Sequence, residues 1–292
     1  MHDGEVDERG DTDSPSASVI VPAHNEERTI RRTLHALLTD ARPGDFDVVV
    51  VCNGCTDRTA EEAAAVPGIR LAHIDTASKA LAIRRGADLA TTFPRIYLDA
   101  DVQLDTESLR RLAAAVAGPD TRAAGPSRHI PRDRCSRAVA WYYDVWERLP
   151  QVREGLFGRG VIALSAAAAG RVDELPMVLS DDLAISDSFG DDERRVVPDA
   201  TVTITPPMTL RALVNRRVRV ATGVAQLRMI GKERATSRTS ISDLVRIAWR
   251  EPRIAPRVPV FLAVTLAARA RSRRAVHQAD FTTWQRDESS RQ

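Results

Sequence analysis

Apolar and polar positions fall into short alternating blocks over the first 118 residues. Continuous apolar runs, such as VVVV at 48–51, are typical of strands that are buried on both faces of a sheet. The segments between these runs repeat apolar residues every three or four positions, as amphipathic helices do. Strand and helix follow one another four times in this way. The pattern predicts an α/β fold in which a mostly parallel sheet is covered by helices.

The pattern also gives approximate bounds for these elements. Strands are predicted at Ser18–Val21, 46–54, 68–75 and 95–101, and helices at 27–38, 55–65, 78–90 and 106–118. Thr56 or Asp57 is expected to cap the second helix, because short polar side chains there accept hydrogen bonds from the first helical N–H groups.

Beyond Pro119 the alternation loosens. WYYDVWERL is predicted as one helix, GLFGRG as a loop before a strand and a helix, and RRVVPDATVTITPP as one or two short strands. After Pro207 the pattern is helical. We therefore expect a disordered acidic leader at 1–16, an α/β domain at 17–207 with halves at 17–118 and 119–207, a basic helical region at 208–275 and a tail at 276–292.

Composition narrows the cellular setting. Three cysteines without a regular framework spacing favour a reducing compartment, so a cytoplasmic location is expected. The leader lacks the apolar core of a signal peptide. No apolar run approaches the roughly 20 residues that are needed to span a bilayer.

Charge is unevenly distributed along the chain. The net charge is +2, but residues 211–275 contain 16 basic residues against Glu233, Asp243 and Glu251. This excess indicates an anionic surface or substrate, and solvated helix faces in an arginine-rich chain explain it equally well. The apolar run 258–268, followed by RARSRR, favours peripheral attachment to the inner face of an anionic plasma membrane.

The stretch RIYLDADVQLD ends a predicted strand with two carboxylates. In a strand, Asp99 and Asp101 are expected on the same side, where they repel unless a cation or solvent offsets their charge. Polar residues also follow the first two strands, in PAHNEE and CNGCTD, at the edge where parallel sheets bind ligands. Paired carboxylates select Mg²⁺ or Mn²⁺, which is usually shared with substrate phosphates.

Several ordered motifs together resemble those of the family 2 glycosyltransferases, which are inverting enzymes with the GT-A fold that use nucleotide sugars. The resemblance covers about Ser18 to Gly223 and is carried by SVIVPAHNEERTI, VVVVCNGCTDRT, SKALAIRRG, LDAD and LSDDLAIS. It implies a Rossmann-like nucleotide-binding half at 17–118, an acceptor half at 119–207 and a helical C-terminal extension.

The resemblance implies roles for individual residues in donor binding. Four residues would line the nucleoside pocket: Pro22, Ala23, His24 and Glu26. Asn53 stands where many members have a carboxylate that contacts uracil, so a UDP-linked or GDP-linked donor stays open. Lys79 would face the donor phosphates or the base. Asp99 would contact the ribose or donor sugar with Ala100 beside it, and Asp101 would hold the metal with Asp99 as the second candidate ligand.

The resemblance also implies the catalytic base. Asp182 would remove the proton of the acceptor hydroxyl, which requires its carboxylate within about 3 Å of that oxygen. Asp181 would cap the following helix or orient Asp182. The acceptor is expected to be a sugar, a glycolipid or a small molecule, and no nucleic acid is expected. Lys79 is one of only two lysines beside 40 arginines, which favours a specific role for its compact ammonium.

The segment NRRVRVATG resembles the interface motif of polymerising family members only in part. Those members also carry several membrane spans, so a single-addition transferase is expected here. Arg217 and Arg219 of this segment are candidates for contact with the donor phosphates or an anionic acceptor.

Alternative interpretations stay open. The two alternatives to a glycosyltransferase are a nucleotidyltransferase, although PAHNEE lacks the glycines and basic residue expected of its first loop, and a nucleotide-sugar-binding protein without turnover. Cys52 and Cys55 are a redox pair or ordinary residues of the turn. The aromatic residues of WYYDVW pack in the core or stack on a sugar, and GLFGRG brings backbone close to the donor sugar or the acceptor.

Overall fold

A computed structural model describes residues 15–173, 181–229 and 239–277. Eight strands form one sheet in the order β3-β2-β1-β4-β7-β6-β8-β5. They are β1 Ser18–Ala23, β2 Asp47–Asn53, β3 Ile69–Ile74, β4 Arg95–Leu98, β5 Val102–Leu104, β6 Ala123–His129, β7 Val161–Leu164 and β8 Arg194–Ile204. Most of the predicted leader and tail lies outside the described residues.

Eleven helices occur within the described residues. They are α1 Ile30–Leu38, α2 Thr59–Ala64, α3 Lys79–Leu89, α4 Thr106–Ala117, α5 Arg137–Trp146, α6 Pro150–Glu154, α7 Ala166–Asp173, α8 Asp181–Asp187, α9 Leu210–Met229, α10 Ile241–Arg250 and α11 Val258–His277.

The first four strands confirm the predicted parallel sheet. β2 pairs with β1 and β3, and β1 pairs with β4, all in parallel. β1 continues through Pro22, where a strand end was predicted. Proline has no backbone N–H to donate. Pairing of β1 with β4 ends at Ile20, so Pro22 leaves no hydrogen bond to β4 unmade.

The second half extends the same sheet with strands of mixed direction. β7 runs antiparallel to β4 and β6, and β8 runs parallel to β6. RRVVPDATVTITPP forms one strand of 11 residues, β8. β5, which the sequence pattern did not predict, pairs antiparallel with β8. The fold is therefore a mostly parallel sheet with antiparallel additions on the side of the second half.

Helices cover the sheet closely. Gly86 lets α3 approach β1, because a Cβ atom at that position would lie 2.4 Å from Cγ2 of Ile20. In the second half, Tyr142 of α5 is fully buried and stacks on Phe261 of α11, with ring centroids 5.1 Å apart. Trp146 is buried as well, so these members of the aromatic cluster pack in the core, whereas Trp141 is half-buried.

The apolar run of α11 is used for packing. Phe261, Val264 and Ala268 are buried in the main core cluster. In the described parts of the chain, none of the helices has both the length and the apolar character needed to cross a bilayer.

Candidate functional site

Asp99, Ala100 and Asp101 form the turn between β4 and β5. The prediction that both carboxylates leave one face of a strand is wrong, because β4 ends at Leu98. The hydroxyl of Thr33 on α1 lies 2.9 Å from the carbonyl oxygens of both Ala100 and Val102 and ties the turn to that helix. No pattern in the sequence indicates this role for Thr33.

A cation stands beside the acidic turn. Lys79 begins α3, which Ser78 caps by accepting a hydrogen bond from the N–H of Leu81. Nζ of Lys79 lies 2.7 Å from Oδ1 of Asp99. The carboxylate of Asp101 forms no hydrogen bond or ion pair with the described residues. Lys79 thus offsets one of the two charges, and Asp101 keeps its oxygens for another ligand.

The loop Gly158–Gly160 connects the acidic turn to the candidate base. The N–H of Asp99 donates to the carbonyl oxygen of Gly160 at 2.8 Å, and the N–H of Gly158 donates to Oδ2 of Asp182 at 2.6 Å. Both glycines have positive φ angles, +65° and +68°, which other residues adopt only with strain. Residues two apart are separated by at most about 7 Å, so this loop brings Asp99 and Asp182 into one site.

Asp182 lies in the first turn of α8. Its Oδ1 accepts a hydrogen bond from the N–H of Leu183 at 2.8 Å, so two backbone donors fix the two oxygens of the carboxylate. Asp181 begins the helix, and its side chain lies outside the described residues. Its predicted capping role stays a prediction.

Two buried arginines support this part of the site, and the sequence analysis did not single them out. Arg159 is 2% exposed and donates to the carbonyl oxygens of Gly155, Pro126 and Arg153. Burial lowers the pKa of Arg159, and the neighbouring Arg128 lowers it further. Arg159 still remains cationic at neutral pH, because the guanidinium holds its proton in proteins. Its bonds therefore shape the loop that carries Gly158 and Gly160.

Arg128 links the loop electrostatically to Asp182. Its guanidinium carbon lies 4.8 Å from the ring centroid of Trp146, and its Nη2 donates to the carbonyl oxygen of Val152. Burial lowers the pKa of Arg128 to about 10, and the carboxylate of Asp182 opposes that shift. A positive charge therefore stands near the candidate base.

The turns after β1 and β2 are joined by hydrogen bonds. Nδ1 of His24 lies 2.5 Å from the backbone oxygen of Asn53, and Nδ2 of Asn53 donates to the carbonyl oxygen of Ala23 at 2.8 Å. Asn53 is 2% exposed, and its Oδ1 has no hydrogen-bond partner among the described residues. A buried acceptor without a donor is unfavourable, and a ligand N–H would satisfy it. Pro22 lies one residue earlier in β1.

Further contacts between the two turns involve Asn25, which the sequence analysis did not assign to the site, and Glu26, which it did. The amide of Asn25, which has a φ of +53°, accepts from the N–H of Thr56 at 2.7 Å. The N–H of Glu26 donates to Thr59 at 2.6 Å. The Glu26 carboxylate accepts from the Thr29 hydroxyl at 2.7 Å, so Glu26 organises the start of α1.

The helix after the second turn starts later than expected. α2 begins at Thr59, and the residue before it, Arg58, provides no side-chain hydrogen bond. Oδ1 of Asp57 accepts from the N–H of Thr59 at 3.0 Å, so Asp57, one of the two predicted caps, binds the first helical N–H.

Cys52 and Cys55 share a hydrogen bond in the same turn. This bond from Cys52 lowers the pKa of the Cys55 thiol to about 6, and it raises the pKa of Cys52 together with burial. Both residues are free cysteines. The pair therefore contains one acidic, partly exposed thiol beside the predicted nucleoside pocket.

The candidate arginines of the C-terminal region lie on α9. The guanidinium carbon of Arg217 is 5.8 Å from the ring centroid of Tyr142 on α5, and Arg219 is half-buried on the same helix. Burial raises the pKa of Tyr142 to about 12, and Arg217 opposes that shift. Their contact with a donor or acceptor stays a prediction.

The donor set for a metal is small. Within the described residues, no three His, Cys, Asp or Glu side chains are grouped so that they could hold an ion. Asp99 and Asp101 offer hard carboxylate oxygens, and Mg²⁺ typically takes one or two such ligands and completes its shell with phosphate oxygens and water. The residues therefore fit a metal that is shared with a phosphorylated ligand.

Comparison with known proteins relates the chain to glycosyltransferases. Residues 18–157 match the family model described as Glycosyl transferase family 2. Glycosyltransferase AglD of Haloferax volcanii is 33% identical over 123 residues, which are 39% of this chain and 20% of AglD. The chain thus covers about a fifth of the length of that curated relative.

Two solved structures show the same fold. One is mannosyltransferase PcManGT from Pyrobaculum calidifontis, in complex with GDP-Man and Mn²⁺. It matches with a TM-score of 0.61 and 21% sequence identity, and the match covers 96% of this chain and 86% of that chain. The other is glucosyl-3-phosphoglycerate synthase from Mycobacterium tuberculosis, in complex with Mn²⁺, UDP and glucosyl-3-phosphoglycerate. It matches with a TM-score of 0.54 and 19% sequence identity, and the match covers 75% of this chain and 81% of that chain.

Proposed function

We propose that the protein transfers a single sugar from a nucleotide-sugar donor to an acceptor hydroxyl, because residues 18–157 match the model of glycosyl transferase family 2 and the chain has the GT-A fold. The observation that carries this proposal is the link through Gly158 and Gly160, which joins Asp99 on the donor side to Asp182 on the acceptor side. Metal-binding carboxylates and a base within one site are what such a transfer requires.

Donor binding is assigned to the acidic turn and α3. Lys79 and Asp101 would hold the diphosphate from two sides, the lysine directly and the aspartate through Mg²⁺ or Mn²⁺, with Asp99 as the second candidate ligand. When bound, the metal offsets negative charge on the leaving diphosphate. PcManGT and the M. tuberculosis synthase were both solved with Mn²⁺, which supports this assignment.

Proton removal is assigned to Asp182. Its two oxygens accept hydrogen bonds from the N–H groups of Gly158 and Leu183, which orient the carboxylate and leave lone pairs for a further proton. The acceptor oxygen, once relieved of its proton, attacks the anomeric carbon on the side opposite the diphosphate. The configuration of the sugar is therefore inverted.

The nucleoside is assigned to the turns after β1 and β2. Nδ2 of Asn53 is committed to the carbonyl oxygen of Ala23, so only Oδ1 remains to contact the base. Reversing the amide would place two oxygens against each other, which fixes this orientation. An acceptor atom suits the ring N–H of uracil or guanine, and we propose a UDP-linked or GDP-linked donor.

Replacement of the base tests the proposal. We expect Asp182→Asn to lower the rate of sugar transfer about a thousandfold, because the amide cannot accept the proton. Binding of nucleoside diphosphate should weaken by at most a few-fold, since the amide oxygen can accept from only one of the two backbone N–H groups. Asp199→Asn removes an exposed carboxylate of β8 and is the matched control. Transfer by Asp182→Asn within a few-fold of the unmodified protein would rule out the assigned base.

Product analysis separates the competing functions. A sugar transferase releases nucleoside diphosphate, whereas a nucleotidyltransferase releases pyrophosphate. We expect nucleoside diphosphate, and we expect Asp101→Ala to abolish the rise in melting temperature that metal and nucleotide together produce. Nucleotide binding without any turnover would instead support a binding protein.

A further inference from the structure

Helix α10 carries an apolar stripe on its outer face. Ile241, Val245 and Trp249 recur every four residues and so lie along one side of the helix. They are 81%, 61% and 83% exposed, whereas Leu244 and Ile247 on the opposite side are buried. The helix therefore packs on the core with one face and presents a second apolar face outward, which we call the α10 stripe.

The α10 stripe is held in place by contacts that do not involve it. Ser240 and Asp243 form a capping box at the start of the helix. Just after its end, Glu251 forms an ion pair with Arg148 at 2.8 Å. Packing and capping thus account for the helix, and folding does not explain why three large apolar side chains point outward.

Basic residues lie beside the α10 stripe. Arg246 and Arg250 are exposed on the same helix, and Arg253 is exposed in the turn that follows. None of the three forms an ion pair with the described residues. The nearby acids are already engaged, Asp243 in the capping box and Glu251 with Arg148. The surface around the stripe is therefore positively charged, which favours an anionic partner.

We propose that the α10 stripe docks the protein on the surface of an anionic phospholipid bilayer. An amphipathic helix in the plane of the interface inserts its apolar side chains among the lipids, and Trp249 suits the headgroup level because its indole is apolar with one polar N–H. The arginines contact lipid phosphates. The expected membrane contact is thus assigned to α10, because Phe261, Val264 and Ala268 of the α11 run are buried in the core. Its exposed Leu262 and Leu266, at 39% and 61%, present less apolar surface than the α10 stripe.

The size of the stripe favours a membrane over a protein partner. Each of the three side chains can bury at most about 150–250 Å². Their summed area falls short of the roughly 800 Å² that a stable protein interface buries on each partner. A bilayer needs no such area, because electrostatic attraction and a few inserted side chains suffice for reversible attachment. The stripe does not depend on the transferase activity proposed above.

Sedimentation of the full chain with vesicles tests the docking surface. We expect binding to vesicles that contain phosphatidylglycerol, little binding to phosphatidylcholine alone, and weakening by salt. Trp249→Ser should reduce the partition coefficient about tenfold, and Arg250→Gln about fivefold. Leu266→Ser, on the outer face of α11 and 61% exposed, is the matched control and should bind like the unmodified protein.

Folding and self-association are measured on the same samples. Because Trp249 is exposed, we expect Trp249→Ser to keep the melting temperature of the unmodified protein. Equal binding to neutral and anionic vesicles, or equal binding by Trp249→Ser, would overturn the proposal. So would light scattering that shows a dimer which Trp249→Ser dissociates, because the stripe would then hold a second copy.

Discussion

Nζ of Lys79 lies 2.7 Å from Oδ1 of Asp99, so the first residue of α3 neutralises one carboxylate of the turn that follows β4. Two negative charges in this turn are therefore offset unequally. Asp99 has a partner in the protein, and Asp101 has none among the described residues. Because of this asymmetry, Asp101 is the carboxylate better suited to binding a metal. Lys79 is positioned to contact the phosphates of the donor.

Removal of the Lys79 charge is expected to weaken donor binding. Lys79→Ala should raise the dissociation constant of the nucleoside diphosphate at least about tenfold, since a charge-assisted contact is lost and Asp99 is left to repel the phosphates. Titration calorimetry with metal present measures the change. Arg84→Ala removes an exposed cation from the same helix and should leave the constant unchanged. An equal loss of affinity for the nucleoside diphosphate in both variants would indicate a general charge effect and contradict a specific role for Lys79.

Asn53 is expected to select the base of the donor. Its Oδ1 should favour UDP and GDP over CDP and ADP, because cytosine and adenine present a ring acceptor where uracil and guanine present an N–H. Asn53→Leu should weaken UDP and GDP binding about tenfold, since it removes the acceptor Oδ1 together with the hydrogen bond to the carbonyl oxygen of Ala23. Oδ1 is closed off from solvent, so the atoms that cover it must move when the base binds. Equal affinity for all four nucleotides would contradict this role.

Gly160 is expected to be required for the geometry of the site. Gly160→Ala places a Cβ atom 2.7 Å from Cγ1 of Val102 and 3.2 Å from Oδ2 of Asp99, at a φ of +68°. We expect a loss of about 1–3 kcal/mol in the free energy of unfolding and a lower transfer rate. Gly170→Ala in α7 meets no atom within 4 Å and should stabilise the protein by up to about 1 kcal/mol. Chemical denaturation of both variants compares them directly.

Cys55 is expected to be the most reactive thiol. With a pKa of about 6 it is mostly thiolate at pH 7, whereas burial raises the pKa of Cys135. Iodoacetamide should therefore label Cys55 about tenfold faster than Cys135, with a rate that rises around pH 6. Cys52→Ala removes the thiol that donates a hydrogen bond to Cys55, so labelling of Cys55 at pH 7 should be slower. Mass spectrometry of the labelled peptides measures both rates, and preferential labelling of Cys135 would refute the prediction.

Asp47 is expected to make folding sensitive to acid. Burial raises its pKa, but hydrogen bonds from Thr91, Arg70 and Ser18 lower it more, so the net pKa lies below 3.8. Because the folded pKa is the lower one, this stabilisation is complete above the unfolded pKa and is lost as the pH falls through the folded value. Asp47→Asn should lower the free energy of unfolding by about 2 kcal/mol at pH 7 and flatten its dependence below pH 4.

Thermal unfolding of the unmodified protein and of Asp47→Asn, measured from pH 7 to below pH 4, tests this prediction. Asp88→Asn, an exposed position on α3, is the control and should leave the curve unchanged. A pH dependence that is equally steep with and without the Asp47 carboxylate would show that another group is responsible.

Much of the first half could be predicted from the sequence. β2 at Asp47–Asn53 and α4 at Thr106–Ala117 lie close to their predicted bounds, because both have strong periodic patterns and α4 begins beside Asp105, whose side chain caps it. β5 was missed because three residues carry no pattern, and it exists through pairing with β8. The later start of α1, at Ile30, follows from contacts of Glu26 with Thr29 that no periodicity reveals.

The sequence by itself determined most of the strands and helices of the first half and the chemical groups that the chain can offer, because apolar periodicity and residue type act locally. It placed Asp99, Asp101, Lys79 and Asp182 among the candidates. Only the tertiary structure decided that Gly158 and Gly160 join Asp99 to Asp182, and that the α10 stripe faces outward. Such relations depend on which faces of distant elements meet, and that choice is made by packing of the whole core.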